Sequence, residues 1–558
     1  MGLLGVLTVA PHAQRGSARF DVLIRHGRIV DGTGAPWFRG DVAVAGDHIA
    51  AMGALGDVPA AMTIDATNLV VAPGFIDLLG QSEFNLLVDS RAASKVMQGV
   101  TTEVTGEGTS IAPLNERMVQ EGAPSAIHFG VKQDWRTLAD YFRRLETQSH
   151  PAINLATFVG AGTIRNFVIG KDDRPATAEE LDKMKQLVSQ AMEQGAIGLS
   201  TSLQYVPDRF ASTDEIVELA KVAARSGGVY FTHQRSESAR IFESLDEVFA
   251  IAERANIPAE IWHLKTAYKA NFGKMPEVLR RIEAARARGL DVTANQYPYT
   301  RASNGLDSCL PLWSREGGLE KTLVRLKDPA ERARIKKDMD DTNATTWENQ
   351  WYGSGGGDGV MLASVLNPDL RKYEGMTLTD IGKAMGKDPR DAVVDLVIAD
   401  RGESQVITSI MNEDDVRAAL QNPLVGVGTD SGAQAEDGKL SESQSHPRAW
   451  GSFPRILGYY VREQHVSSLE EAVRKMTSKA AARVHLNDRG VLRPGLKADI
   501  TIFDPATIRD RATFDDPKHY SVGVKHVLVN GRRVVADGAI TNERPGVPLR
   551  GPGYRPAR

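Results

Sequence analysis

The sequence predicts an α/β fold, a (β/α)8 barrel carrying a small β-domain assembled from both ends of the chain. Three observations carry this expectation. Eight short β-rich runs alternate with amphipathic stretches. The two terminal segments share one alternating, Gly-turned style. A chain of 558 residues with 42% hydrophobic content also exceeds the roughly 250 to 300 residues at which single cores stop growing.

In chain order, MGLLGVLTVAPHAQRG is apolar and then rich in small residues, like the back half of a signal peptide without its basic start. Residues 1–18 are expected to be a truncated signal peptide or a disordered N-terminus. A periplasmic or secreted location follows from the first reading, a cytoplasmic one from the second. Residues 19–72 open the β-domain with FDVLIRHGRIVD and DVAVAGDHIAAMG, and residues 487–558 complete it with KADITIFDPATI and VKHVLVNGRRVVADG. Residues 73–486 then hold the barrel, whose eight strands are expected in LVVAPGFID, GVTTEVTG, AINLATFVG, AIGLSTS, GVYFTHQ, AEIWHLK, DVTANQYPY and LVGVGTD.

Helix starts are marked by capping boxes at Thr177 to Glu180, Ser212 to Glu215 and Ser468 to Glu471. In TDEIVELAKVAARSGG, Ile216, Leu219, Ala220 and Ala223 recur at helical spacing until Gly227 and Gly228 stop the helix. From about residue 313 to 390 the alternation breaks into charged helical sequence and YGSGGGDGV. This reads as an insertion on the seventh βα loop that can act as a lid.

Composition excludes several classes of function. A net charge of −4 with 25% charged residues leaves no basic excess for nucleic acid. No apolar run reaches the roughly 18 residues of a membrane span. With Cys309 as the single cysteine, there is no internal disulfide and no cysteine cluster, so metal chemistry has to use carboxylates and some of the 12 histidines.

Barrel strand ends are the positions to read for chemistry. Strand five ends in His233 and strand six in His263. A lone histidine there is usually a satisfied structural residue, but two at matching positions on adjacent strands point to a shared metal. Strand eight ends in Gly428-Thr429-Asp430-Ser431-Gly432, where Asp430 reads either as turn chemistry or as a ligand or general base. Glu107, between two glycines after strand two, is either a solvated loop residue or the oxygen donor completing a zinc shell with an open position for water.

The phrases APGFID, QGVTTEVTGEG, GAIGLSTS, STDEIVELAKVAARSGGVYFTHQRSE, HLKTA, GLDVTANQYPYT, HPRAWGSFPRILGYYVRE, RKMTSKAAARVHL and RGVLRPGLKADITIFDPATI, in order from about residue 20 to 550, together resemble the D-aminoacylase (N-acyl-D-amino-acid deacylase) branch of the amidohydrolase superfamily. The resemblance implies a TIM-like, metal-dependent hydrolase barrel with a β-sandwich built from both termini. In that family the strand beginning PGFID runs into His-x-His, which helps to hold one of two metal positions. Leu79, Gly80 and Gln81 stand there in this chain, and neither leucine nor a neutral amide oxygen is a suitable zinc ligand. The family's strand-two cysteine ligand is also missing. Glu107 is its natural replacement, with Glu103 the weaker candidate, and AIGLSTS offers no lysine for carbamylation. One ion, expected to be zinc, is left with His233, His263 and a carboxylate.

By the same resemblance the chain is expected to cleave the linear amide of N-acyl amino acids, the D-enantiomers foremost, using activated water. Asp430 serves as general acid and base and Tyr205 steadies the oxyanion. Lys265, Tyr297 and Arg448 correspond to positions that bind the substrate carboxylate, with Lys265 placed on the same strand face as His263 by the period-two rule. The alternatives are hydrolysis of a cyclic amide, as by a dihydropyrimidinase, or of a lactone, and, in a different class, an inactive metal-binding homologue.

Overall fold

Alternating Val, Ile and Phe near either end of the chain form strands that pair across its whole length. The computed structural model describes residues 20–344 and 346–556. The expected leader at residues 1–18, and the export it implies, fall outside the described residues. Val70–Pro73 lies between Phe20–Ile29, which it pairs in parallel, and Ile500–Phe503, which it pairs antiparallel. The resulting sheet has nine strands drawn from both ends. Val22, Ile24, Val42, Val44, Ile500 and Ile502 belong to a core of its own.

Each of the eight segments read as barrel strands contains a strand: β1 (Phe75–Asp77), β2 (Val100–Thr105), β3 (Asn154–Thr157), β4 (Gly198–Ser202), β5 (Val229–His233), β6 (Ala259–Ile261), β7 (Val292–Gln296) and β8 (Val425–Val427). Pairing is parallel throughout and follows chain order, with Val159–Gly160 linking β3 to β4. Leu78 N donates to Val427 O at 3.2 Å, so backbone bonds also join the ends of β1 and β8. Every residue of β4, β5 and β7 is buried, as parallel strands covered on both faces should be. Phe158, Phe231 and Trp262 pack with ring centroids 4.6 to 5.6 Å apart. The fold is mixed α/β.

Of the three expected capping boxes, the one at Thr177 closes in both directions. At Ser212 and Ser468 only the serine half forms. There Glu215 turns to Arg165 and Glu471 to Arg474, ionic partners that outbid a neutral N–H.

Between β7 and β8 the chain builds a three-stranded antiparallel sheet, Arg301–Gly305, Gln405–Ser409 and Val360–Ser364 in spatial order. Its separate core includes Leu326, Ile335, Leu362 and Val393. This unit extends beyond 313–390 on both sides. The strand RASNG, with no β-branched residue, carries little signal that it is one.

Candidate metal centre

After β2 the chain turns through Gly106, Glu107 and Gly108. The glycine φ angles are 95° and 64°, and a Cβ on Gly108 would lie 2.5 Å from Ser202. Only glycine permits this close, left-handed path, which sets Glu107 in the cavity wall. β5 delivers His233 as its last residue. β6 stops at Ile261, and His263 follows with φ 36°, its N–H held by Asn295 Oδ1 at 2.9 Å.

These three side chains converge. The imidazole centroids are 4.5 Å apart, and Glu107 Oε1 lies 3.1 Å from His233 Nδ1 and 2.9 Å from His263 Nε2. One ligand atom from each residue lies within 4.8 Å of the other two. The outer nitrogens are fixed as well. Gln204 Oε1 takes His233 Nε2 at 2.9 Å, and Glu237 Oε1 lies 3.0 Å from His263 Nδ1. With those partners on the outer nitrogens, His233 Nδ1 and His263 Nε2 turn to one point beside Glu107 Oε1. Two imidazoles and a carboxylate oxygen arranged in this way fit a zinc-type ion with a position left open.

The electrostatics agree with the geometry. Burial pushes the Glu107 carboxyl up, but its hydrogen bonds to His233 and His263 outweigh burial and hold it well below the usual range. Burial and the Lys265 charge push His263 down, while Glu237, Asp430 and the Glu107 hydrogen bond raise it to about 9. Burial likewise raises Glu237, and the charges of Lys265, His233 and His263 hold it far below its ordinary value.

Asp430 stands opposite, after β8, with φ 54°. Its N–H donates to Leu79 O at 2.7 Å. Burial raises its pKa against the charges of Arg448 and His263, and Arg448 Nη1 lies 2.6 Å from its Oδ2. Gln81 Nε2 donates to Asp430 Oδ1 at 3.1 Å and to Glu107 Oε2 at 3.0 Å. On this side Leu79 packs in an apolar cluster with Ile76 and Val104.

Beneath them lies Lys95, fully buried. It donates to Asp77 Oδ2, Thr429 Oγ1 and Ser431 O, each at 2.7 Å, and sits 3.1 Å from Glu103 Oε1. Glu103, the weaker candidate for the ligand carboxylate, is therefore corrected: Lys95 and Ser82 Oγ, at 2.8 Å, occupy it, and of the two it is Glu107 that reaches the histidines.

The residues expected to bind substrate fall into two groups. Lys265 and Tyr205 line a cavity of about 1040 Å³ together with Glu107, His233, His263 and Asp430. Arg448 lines a second cavity of about 350 Å³, which shares Gln81, Ser303, Glu403, Gln405 and Asp430 with the first. Lys265 does reach His263, with Nζ 2.7 Å from Nδ1 and 2.7 Å from Glu237 Oε1, though the reason differs from the expected strand alternation, since β6 has already ended. Tyr205 stacks edge-on to His233 at 4.9 Å and accepts from Asn304 Nδ2 at 3.2 Å. Tyr297 is corrected: it is fully buried, and its hydroxyl faces Met411 Sδ at 3.5 Å. Its ring lies 5.7 Å from Lys265 Nζ and 4.7 Å from Arg448 Cζ, steadying two cations by its face where a carboxylate contact was expected.

Comparison with known proteins decides the lineage. The model described as "Amidohydrolase family" matches residues 400–535. The D-aminoacylase of Alcaligenes xylosoxydans xylosoxydans is 36% identical over 96% of this chain and 98% of its own. The chain belongs to the D-aminoacylase family. Among solved members, the N-acyl-D-glutamate deacylase of Bordetella bronchiseptica, complexed with zinc and a phosphonate mimic of the tetrahedral intermediate, superposes with a TM-score of 0.79 at 33% identity over 96% of this chain and 100% of that one. A D-aminoacylase described as having a binuclear metal centre, with one-metal activation and second-metal attenuation, gives a TM-score of 0.79 at 34% identity over 95% and 100%.

Sequence reasoning does not reach three residues that hold this centre in place. Glu237 follows His233 by four residues in THQRSE, a spacing that strand logic does not search. Gln204 sits in a loop whose polar tip carries no special signal. Gln81 reads in sequence only as a residue unsuited to be a ligand, because the two carboxylates it meets come from distant loops.

Proposed function

We propose that this chain hydrolyses the linear amide of N-acyl amino acids, the D-enantiomers foremost, with one divalent ion, zinc in the first place, held by Glu107, His233 and His263. The parallel strands are read as a (β/α)8 barrel, supported by the backbone bonds between β1 and β8, and the terminal strands as a β-sandwich. The observation that carries the activity is the convergence of those three ligands beside Asp430 in one cavity.

When bound, such an ion supplies Lewis acidity that polarises the amide carbonyl and makes water nucleophilic near neutral pH. The rest falls to the chain. Asp430 accepts the attacking water's proton and returns it to the leaving nitrogen as the C–N bond breaks, giving a free amino acid and a carboxylic acid. The Tyr205 hydroxyl already accepts from Asn304, so its own hydrogen is available to the developing oxyanion. Lys265 and Arg448 both lie over the Tyr297 ring and offer charge-assisted bonds to the substrate carboxylate.

A panel of N-acyl-D- and N-acyl-L-amino acids assayed against zinc-reconstituted protein tests the reading. Hydrolysis of the D-series is expected. Asp430→Asn should retain the metal and lose turnover by about 10² to 10⁴-fold, the worth of general acid–base catalysis. Retained turnover would remove Asp430 from the role.

A further inference from the structure

The side chain of Gln81 has one feature that its place in the sequence does not announce. A single nitrogen, Nε2, is hydrogen-bonded to two carboxylates at once, Glu107 Oε2 at 3.0 Å and Asp430 Oδ1 at 3.1 Å. Both partners are acceptors only, so chemistry dictates which way the amide faces: its oxygen turned inward would meet two anionic oxygens. The two hydrogens of the amide nitrogen match the two acceptors one for one. The backbone aims the side chain, since Gln81 N donates to Glu103 Oε1 at 3.1 Å and to Ser431 O at 3.2 Å, and the buried Lys95 ammonium grips both of those partners.

We infer that Gln81 is a positioning residue whose amide hydrogens bridge the ligand carboxylate and the general base, doing with two neutral donors what a second cation between Glu107 and Asp430 would do with charge. This rests on the proposed one-ion hydrolase and explains how that centre is kept to one ion. The amide holds Glu107 Oε2, which leaves Oε1 alone to face His233 and His263. It also holds Asp430 beside the site and relieves repulsion between the two carboxylates. Leu79, buried in its apolar cluster, adds no donor that would recruit a second ion.

The test is zinc stoichiometry by elemental analysis, with affinity by competition titration, on the full-length chain and two variants. Wild type should hold one zinc. In Gln81→Glu the bridge becomes a third carboxylate facing Glu107 and Asp430, so the count should rise to two. In Gln81→Leu the count should stay at one, with zinc affinity or kcat falling about 10- to 100-fold, the usual cost of losing a partner of a metal ligand, and KM changing less than kcat. A purely structural role would not raise the metal count. One zinc in Gln81→Glu, or a Gln81→Leu enzyme with wild-type affinity and kcat, overturns the inference. Failure of the underlying reading looks different: a wild-type chain that takes up no zinc or hydrolyses no N-acyl amino acid.

Discussion

The two halves of this rim solve one electrostatic problem in opposite ways. On the β1 side, the carboxylates of Asp77 and Glu103 are neutralised by an ammonium built into the chain, that of Lys95. On the β5 and β6 side, Glu107 faces two imidazoles, a set of donors suited to a cation from outside. The first half is complete as soon as the chain folds. The second depends on what it captures, and it is the half next to the cavity. A buried carboxylate needs a positive partner in either case; whether that partner is covalent or imported separates scaffold from centre.

The largest effect that can break this comparison is on the imported side. Glu107→Ala and His263→Ala should each lose their zinc by elemental analysis while keeping a native circular dichroism spectrum, and turnover should fall on the order of 10³-fold with loss of the charge that stabilises the transition state. Unaltered metal content in both would place the ion elsewhere.

On the built-in side, Lys95→Met strips two buried carboxylates of their partner, and breaking such an arrangement costs about 3–5 kcal/mol. Denaturant titration should show that loss, while any folded fraction still binds zinc. A variant as stable as wild type would mean that Lys95 does not carry the β1 side.

A last test sharpens the contrast by pH. Burial, with the Glu103 charge adding to it, raises Glu83 to about 8 against hydrogen bonds from its surroundings. Its folded pKa exceeds its unfolded one, so the native state binds the extra proton between roughly pH 4.5 and 8. From this group, stability is greatest below that window and declines as pH rises through it. Glu83→Gln should flatten that part of a plot of Tm against pH; an unchanged slope would assign the dependence to other groups.

The parts of the molecule that were legible in sequence are those whose physics is local. Strand runs such as VYFTH and the helix Thr213–Arg225 announce themselves by periodicity. His233 and His263 stand out because each ends such a run. Glu107 was reachable through its flanking glycines. The bonds of Gln81, Glu237, Gln204 and Tyr297 were not, since each depends on where a neighbouring loop places its partner. Gln81 and Asp430 are 349 residues apart, and no local pattern encodes a hydrogen bond across that distance. Glu215 and Glu471 make the same point in reverse, because their local rule was right and a nearby arginine overrode it.

The sheet drawn from both ends also bears on synthesis at the ribosome. Val70–Pro73 emerges early, yet its antiparallel neighbour Ile500–Phe503 is translated roughly 430 residues later. At about 5–20 residues per second that delay is roughly 20–90 s, during which an apolar strand edge stands open to any passing chain. Until Ile500–Phe503 arrives, Val70–Pro73 has one neighbour in place of two, so the sheet closes only as synthesis nears its end.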